Sequence, residues 1–269
     1  MKTLILAAGQ GIRLRPYTDK QPKCMVPLGG KSLLHWQMEA LSACGVKADS
    51  IVIVAGYEAG CIEAPGTSRI LNPRYASTNM VETLFCARDC MVPGEDLLIC
   101  YGDIVYEPRV MQALLASSAP LSVAADSSWQ RLWQLRMTEP LDDAETFKMD
   151  ANGKVCELGQ VPTSYEEVEA QYMGLIYVRG DHVGKLIKFY DSMDRSKIYG
   201  GKDFDNMYMT SFLQELIDHE WQVKSCLVNN GWLEVDTAAE LELYQQLHDS
   251  SELKSYCYLP PGGWNMVNV

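Results

Sequence analysis

The chain has 269 residues, 47% hydrophobic and 22% charged, with a formal net charge of −12. That length and composition suit one large α/β domain or two small ones, and the acidic balance excludes nucleic acid and anionic membranes as partners. No apolar run approaches the roughly 18 residues of a bilayer span, and the six residues between Lys2 and Gly9 are too few for a signal peptide, so a cytoplasmic location is expected.

Residues 2–8 read as a buried parallel strand running into a small-residue loop. Ser32–Cys44 reads as a helix with apolar Leu33, Leu34, Trp36, Met38 and Leu41 and a stop at Gly45. Strands follow at Ile51–Ala55 and Arg69–Leu71, a helix at Val81–Cys90, a strand at Asp96–Tyr101, a helix at Arg109–Ala116 and a strand at Pro120–Ala125. Strands alternating with helices predict a doubly wound, mostly parallel α/β sheet covered on both faces. The pattern breaks after residue 126. Residues 126–171, which hold Lys154–Leu158 as a short strand, are expected to be an inserted smaller lobe over the carboxyl edge of the sheet. Tyr172–Val178 and Val223–Val228 read as later strands, and His182–Tyr190, Met209–His219 and Thr237–Leu247 as helices. The expected division is a domain over 1–248 and a tail over 249–269. The tail, aromatic and rich in Pro and Gly, is expected to pack on a neighbouring surface, a homodimer contact being one option.

Chemistry concentrates at strand ends, where ligands of such sheets bind. Leu6, Ala7, Ala8, Gly9 and Gly11 let a backbone approach a base and phosphates. Arg13 and Lys23 follow as a fork and a point charge for phosphate. Residues 1–31 hold six bases against one acid, leaving −17 for the remainder, as a focused site for a polyanionic small molecule would have it. Two commoner motifs fail. The dinucleotide fingerprint lacks its third glycine, Leu14 or Arg15 standing there, and a P-loop ending at Gly30-Lys31-Ser32 needs glycine where Met25 stands. Asp103 follows Gly102 at a strand end, and Asp236 precedes the last helix. Each alone reads as a turn or cap residue. Together, and with the loop, they suit Mg²⁺ on a triphosphate. The nine cysteines form no Cys-x-x-Cys pair and read as free thiols in a reducing compartment.

Leu6-Ala7-Ala8-Gly9-Gln10-Gly11-Ile12-Arg13-Leu14, Pro22-Lys23, Gly102-Asp103 and Trp232-Leu233-Glu234-Val235-Asp236-Thr237 resemble the sugar-phosphate nucleotidyltransferase superfamily. Asn72-Pro73-Arg74-Tyr75, Thr78-Asn79-Met80-Val81 and Tyr172-Met173-Gly174-Leu175 are similar to its phosphocholine cytidylyltransferase branch. Leu141–Thr146, Glu169–Tyr172 and Asn206–Gln214 resemble phosphoglutamine cytidylyltransferases of capsule polysaccharide biosynthesis more closely still. The resemblance spans residues 2–247. It implies a Rossmann-like fold and a cytoplasmic enzyme that uses CTP and Mg²⁺ to transfer CMP to a small phosphorylated amide or amino alcohol. Sugar-1-phosphate transfer from UTP or dTTP, and a non-catalytic nucleotide-binding subunit, are the alternatives. On this reading Arg13 and Lys23 are catalytic, and Asp103 and Asp236 hold the metal. Thr78, Asn79 and Thr83 read the cytosine edge, with Gly102 and Gly174 against the nucleotide. Trp129 and Trp133, one helical turn apart, would wall the acceptor's amine. Asp142 and Glu145 would bind its ammonium or amide, and Lys148 its phosphate.

Overall fold

The computed structural model describes residues 1–264. Its strands in chain order are β1 (Lys2–Ala7), β2 (Pro27–Leu28), β3 (Lys31–Ser32), β4 (Ile51–Ala55), β5 (Ser68–Leu71), β6 (Leu97–Tyr101), β7 (Ile104–Tyr106), β8 (Leu121–Asp126), β9 (Phe147–Met149), β10 (Val155–Leu158), β11 (Gln171–Val178), β12 (Val223–Val228) and β13 (Trp232–Glu234). The helices are α1 (Leu33–Ala43), α2 (Met80–Cys86), α3 (Pro108–Leu115), α4 (Trp129–Arg136), α5 (Gly180–Ser192), α6 (Met209–Asp218) and α7 (Ala238–Asp249). Seven strands form one sheet in the order β12-β8-β11-β6-β1-β4-β5. All neighbours pair in parallel except β11, which runs antiparallel to both β6 and β8.

The strands are apolar on both faces because helices cover both. Ile5, Ile53 and Cys100 point into one core layer, with residues of α1, α3, α4 and α7. Their sequence neighbours Leu4, Val52 and Ile99 point into the other, with α2, α5 and α6. Local chemistry sets the helix ends. The Ser32 hydroxyl accepts from His35 N–H at 3.2 Å to open α1. Thr237 and Glu240 form a reciprocal capping box at the start of α7.

Residues 126–171 leave the sheet at Asp126 and return at Gln171, positions that pair directly. The excursion therefore begins and ends at the carboxyl end of β8, on the same edge of the sheet as the carboxyl ends of β1 and β6. It is rooted in both core layers, through Trp129, Leu132 and Trp133 on one side and Phe147, Val155 and Leu158 on the other. Past α7, Leu253, Cys257 and Leu259 are buried in the same core as α1, and the Trp264 ring lies edge-on to Trp36 at 5.1 Å. Up to Trp264 the tail packs on its own chain; the rest of it lies outside the described residues. All nine cysteines are free thiols, and no helix among the described residues is long and apolar enough to cross a membrane.

Candidate active site

Two adjoining cavities open at the carboxyl ends of β1 and β6. The first is lined on one side by Leu6, Ala7, Ala8 and Gly9 and on the other by Tyr75, Thr78, Asn79 and Thr83, with Gly102 at its base. Gly102 is required by close approach. A Cβ there would meet the Leu6 carbonyl oxygen at 2.7 Å, so only glycine lets the two strand ends meet. Past Ala8 the loop stays open. The N–H groups of Gly9, Gln10 and Gly11 make no main-chain hydrogen bond among the described residues, which leaves donors for anionic oxygens. Gly11 opens the single turn that carries Arg13, and its carbonyl accepts the Thr18 hydroxyl at 2.8 Å.

The second cavity is lined by Arg13, Trp133, Asp143, Glu145, Gln171, Tyr172, Gly174, Tyr208, Thr210, Glu234 and Asp236, and it shares Asn79, Met80 and Asp103 with the first. Gly174 has φ +75°, and a Cβ on it would strike the Tyr101 ring at 2.6 Å. The bulge it permits in β11 keeps this wall open.

Between the cavities sits a charge cluster. Lys23 Nζ donates to Asp103 Oδ2 at 2.7 Å and to Asp236 Oδ1 at 2.5 Å. Arg13 Nη2 lies 3.3 Å from Asp236 Oδ2. The two aspartates are 133 positions apart, yet a main-chain ribbon joins them. β7 and β13 pair antiparallel, with Glu234 opposite Ile104, and the Val235 N–H donates to the Asp103 carbonyl at 3.1 Å. Glu234 completes the group: one carboxylate oxygen each from Asp103, Glu234 and Asp236 lie within 4.8 Å of one another. Burial alone would lower the pKa of Lys23, but Asp103, Asp236 and Glu234 outweigh it and raise it. Burial and Asp236 push the Glu234 carboxyl above the usual carboxylate range. Burial also acts to raise Asp236, but Lys23, Arg13 and Arg136 hold it low.

Residues 3–150, more than half of the chain, match the MobA-like NTP transferase domain. The chain belongs to that family. It is 40% identical over 252 residues to a CTP:phosphoglutamine cytidylyltransferase of Campylobacter jejuni, covering 90% of this chain and 98% of that one. A choline-phosphate cytidylyltransferase of Streptococcus pneumoniae is 36% identical over 93 residues, 33% of this chain and 40% of that one. The solved CTP:phosphocholine cytidylyltransferase of Streptococcus pneumoniae matches in fold, with a TM-score of 0.67 at 19% identity, covering 92% of this chain and 98% of that one. The NTP transferase fold is thus present as a mostly parallel, Rossmann-like sheet, and the chain is a nucleotidyltransferase.

Within this NTP transferase most residues expected at the nucleotide converge, but Gly174 lines the second cavity instead and Gly11 lines neither. Leu6, Ala7, Ala8, Gly9, Lys23, Thr78, Asn79, Thr83, Gly102 and Asp103 all line the first cavity. The residues expected at the acceptor divide. Glu145 and Trp133 line the second cavity. Trp129 does not: its Nε1 donates to the Val168 carbonyl at 3.0 Å, and its ring lies buried against Tyr165. The two indoles do share a helix face, edge to face at 5.9 Å, but that face is turned into the core. The Arg136 guanidinium already sits over the Trp133 ring at 4.6 Å, so the two indoles do not form the expected wall of the cavity. Asp142 is exposed at the end of a short turn, and its neighbour Asp143 lines the cavity instead. Lys148 stands outside both cavities, because its cross-strand neighbour Glu157 and Glu167 take its ammonium at 3.1 and 3.2 Å.

Two contributors were not anticipated. Glu234 was legible: it is two residues before Asp236 in an extended segment, hence on the same side. Arg136 carried no signal. Its side chain is 1% exposed and meets Glu234 at 3.3 Å, Asp236 at 3.5 Å and Glu240 at 2.9 Å, a role set by where α4 lands.

Proposed function

We propose that this chain transfers CMP from CTP to a small phosphorylated amide or amino alcohol of the phosphoglutamine or phosphocholine type, releasing pyrophosphate, in the cytoplasm. The observation that carries this reading is the position of Lys23, Asp103 and Asp236 on the boundary between the two cavities. CTP takes the first cavity and the acceptor takes the second, so the reacting phosphates meet at the cluster. The near full-length relative named for CTP and phosphoglutamine supports the choice of substrates.

A phosphate oxygen of the acceptor forms a bond to the α-phosphorus of CTP, the bond to the bridging oxygen breaks, and pyrophosphate leaves with that electron pair. The nucleophile is ionised near neutral pH, so no general base is needed. The protein's work is placement and charge neutralisation. Lys23, held cationic by its acids, contacts the α-phosphate and the incoming phosphate. Arg13, at the mouth, binds the triphosphate, and the free N–H groups of residues 9–11 orient its oxygens. A divalent ion fits the acids: Asp103 belongs to the three-carboxylate group, and its Oδ1 is buried without a hydrogen-bond partner. Asp103, Asp236 and Glu234 would hold Mg²⁺, which supplies charge neutralisation on triphosphate oxygens. Glu145, in the second cavity with Thr210 Oγ1 donating to it at 3.3 Å, faces the acceptor's nitrogen.

The test is pyrophosphate release from each of CTP, UTP, dTTP and ATP with Mg²⁺ against phosphoglutamine, phosphocholine, phosphoethanolamine and glucose-1-phosphate. Turnover confined to CTP with a nitrogen-bearing acceptor is expected. Turnover with UTP or dTTP and the sugar phosphate, or none with any pair, overturns the reading.

A further inference from the structure

Asn72 is 1% exposed and is absent from the cavity walls, yet its side-chain amide ties together the hydroxyls of two threonines that line the first cavity. Its Nδ2 donates to Thr78 Oγ1 at 3.0 Å and to Thr83 Oγ1 at 3.0 Å. The orientation of the amide is fixed from the other end, because Asn72 Oδ1 accepts the Arg74 N–H at 2.9 Å. A flipped amide would set two N–H groups against each other there.

The protons of both hydroxyls are spoken for as well. Thr78 Oγ1 donates to the Arg74 carbonyl at 2.9 Å, and Thr83 Oγ1 donates to the Asn79 carbonyl at 3.2 Å, each a bond to the carbonyl four residues back. A hydroxyl has one proton and two lone pairs. Each of these has given its proton to the main chain and one lone pair to Asn72. What each retains is a single lone pair, so toward a ligand in the cavity each can accept and neither can donate.

We infer that Asn72 polarises Thr78 and Thr83 into an acceptor pair that selects a nucleotide base bearing an exocyclic amine over one bearing a carbonyl at the same position. Among pyrimidines this is cytosine over uracil or thymine, since cytosine offers an N4 donor where the others offer an O4 acceptor. A 4-oxo base would bring a lone pair against two lone pairs, and relief would require breaking one of the two hydrogen bonds to the main chain. A site built to pair one partner rejects an analogue lacking it more strongly than size differences allow. The inference rests on the reading that CTP occupies the first cavity. Asn72 acts here as a positioning residue through the two threonines.

The experiment measures binding of CTP and of UTP, each with Mg²⁺ and no acceptor, by calorimetry, together with kcat/KM for both on the best acceptor. The proteins are wild type, Thr78→Val, Thr83→Val, the double valine variant and Thr83→Ser. Valine keeps the shape and removes the acceptor. Serine keeps the hydroxyl and its two bonds. Wild type is expected to prefer CTP, each valine to lower the CTP-to-UTP ratio about tenfold, the double variant to lower it further, and serine to keep it. If CTP is preferred by wild type and the double valine variant preserves the ratio, the acceptor pair is wrong while the cytidylyltransferase reading stands. If wild type binds neither nucleotide, or prefers UTP, both fall. Thermal midpoints of the four variants, measured alongside, separate a misfolded protein from one with altered selection.

Discussion

Lys23 is locked to two carboxylates, and that fixes what its removal does. On the proposed reading, Lys23→Ala deletes a cation from the reacting phosphates; it also leaves Asp103 and Asp236 without the ammonium they share. The expected outcome is a fall in kcat of about 10²–10³, read by single-turnover pyrophosphate release at saturating substrates. A kcat within threefold of wild type would remove Lys23 from the chemistry. Glu145 gives a second prediction at this scale. Burial raises its carboxyl from an ordinary 4.5 to about 7, against the lowering effect of the Thr210 hydroxyl. Between those values the folded state holds a proton that the unfolded chain has released. Stability therefore falls as pH rises through that window and levels off above it. Glu145→Gln should flatten this fall, measured as urea midpoints at pH 5 and pH 8. A wild-type midpoint that rises over the same interval, with no change in the variant, would contradict the assignment. Residues such as Ala8, Lys23, Gly102 and Asp103 were legible because small residues and charges at a strand end have few other uses. Trp129 and Lys148 misled because a side chain's type does not say which way its element turns.

The termini of the elements do as much for the site as their interiors. Asp236 sits one residue before the cap of α7, and Glu240 Oε2 accepts both the Asp236 N–H at 2.7 Å and the Thr237 N–H at 3.0 Å. Thr237→Ala should cost about 1 kcal/mol in urea unfolding and loosen Asp236, so the KM for Mg²⁺ rises as well. An unchanged KM for Mg²⁺ would separate the cap from the site. α4 ends by placing Arg136 among four carboxylates, Asp143 at 3.9 Å being the most distant. Arg136→Met leaves Glu234 and Glu240 without their cation, and removing one partner of a buried ion pair costs about 3–5 kcal/mol. A loss below 1 kcal/mol in urea unfolding would mean that the acids relax into solvent. The long elements were readable from their apolar period, α1 also from its stop at Gly45; the cap of α7 is Thr237, where Asp236 alone reads as the cap. The three-residue strands β7 and β13 were not. Only their pairing makes them strands, and a pairing across more than a hundred residues leaves no local periodicity to read.

At the scale of the molecule, the sheet holds one reversal that matters. β11 enters antiparallel between β6 and β8, which brings the chain back from its excursion beside its point of departure and sets the second cavity against the first. The alternation of strands and helices announced the parallel sheet, while the direction of β11 follows from the excursion starting and finishing at one edge. The tail acts on the whole body. Deleting residues 251–269 removes Leu253, Cys257 and Leu259 from the core and the partner ring from Trp36. Each large apolar side chain so lost is worth about 1.5–3 kcal/mol. The thermal midpoint should fall by several degrees and tryptophan emission shift to the red; an unchanged midpoint would show the packing to be idle.

The ribbon of β7 and β13 also has a temporal meaning. Asp103 is synthesised before either of its fellow acids, whereas Glu234 and Asp236 emerge more than 130 residues later. A nascent chain that has made only the first of them lacks two of the three carboxylates, so the cluster closes late in synthesis relative to the loop that carries Lys23.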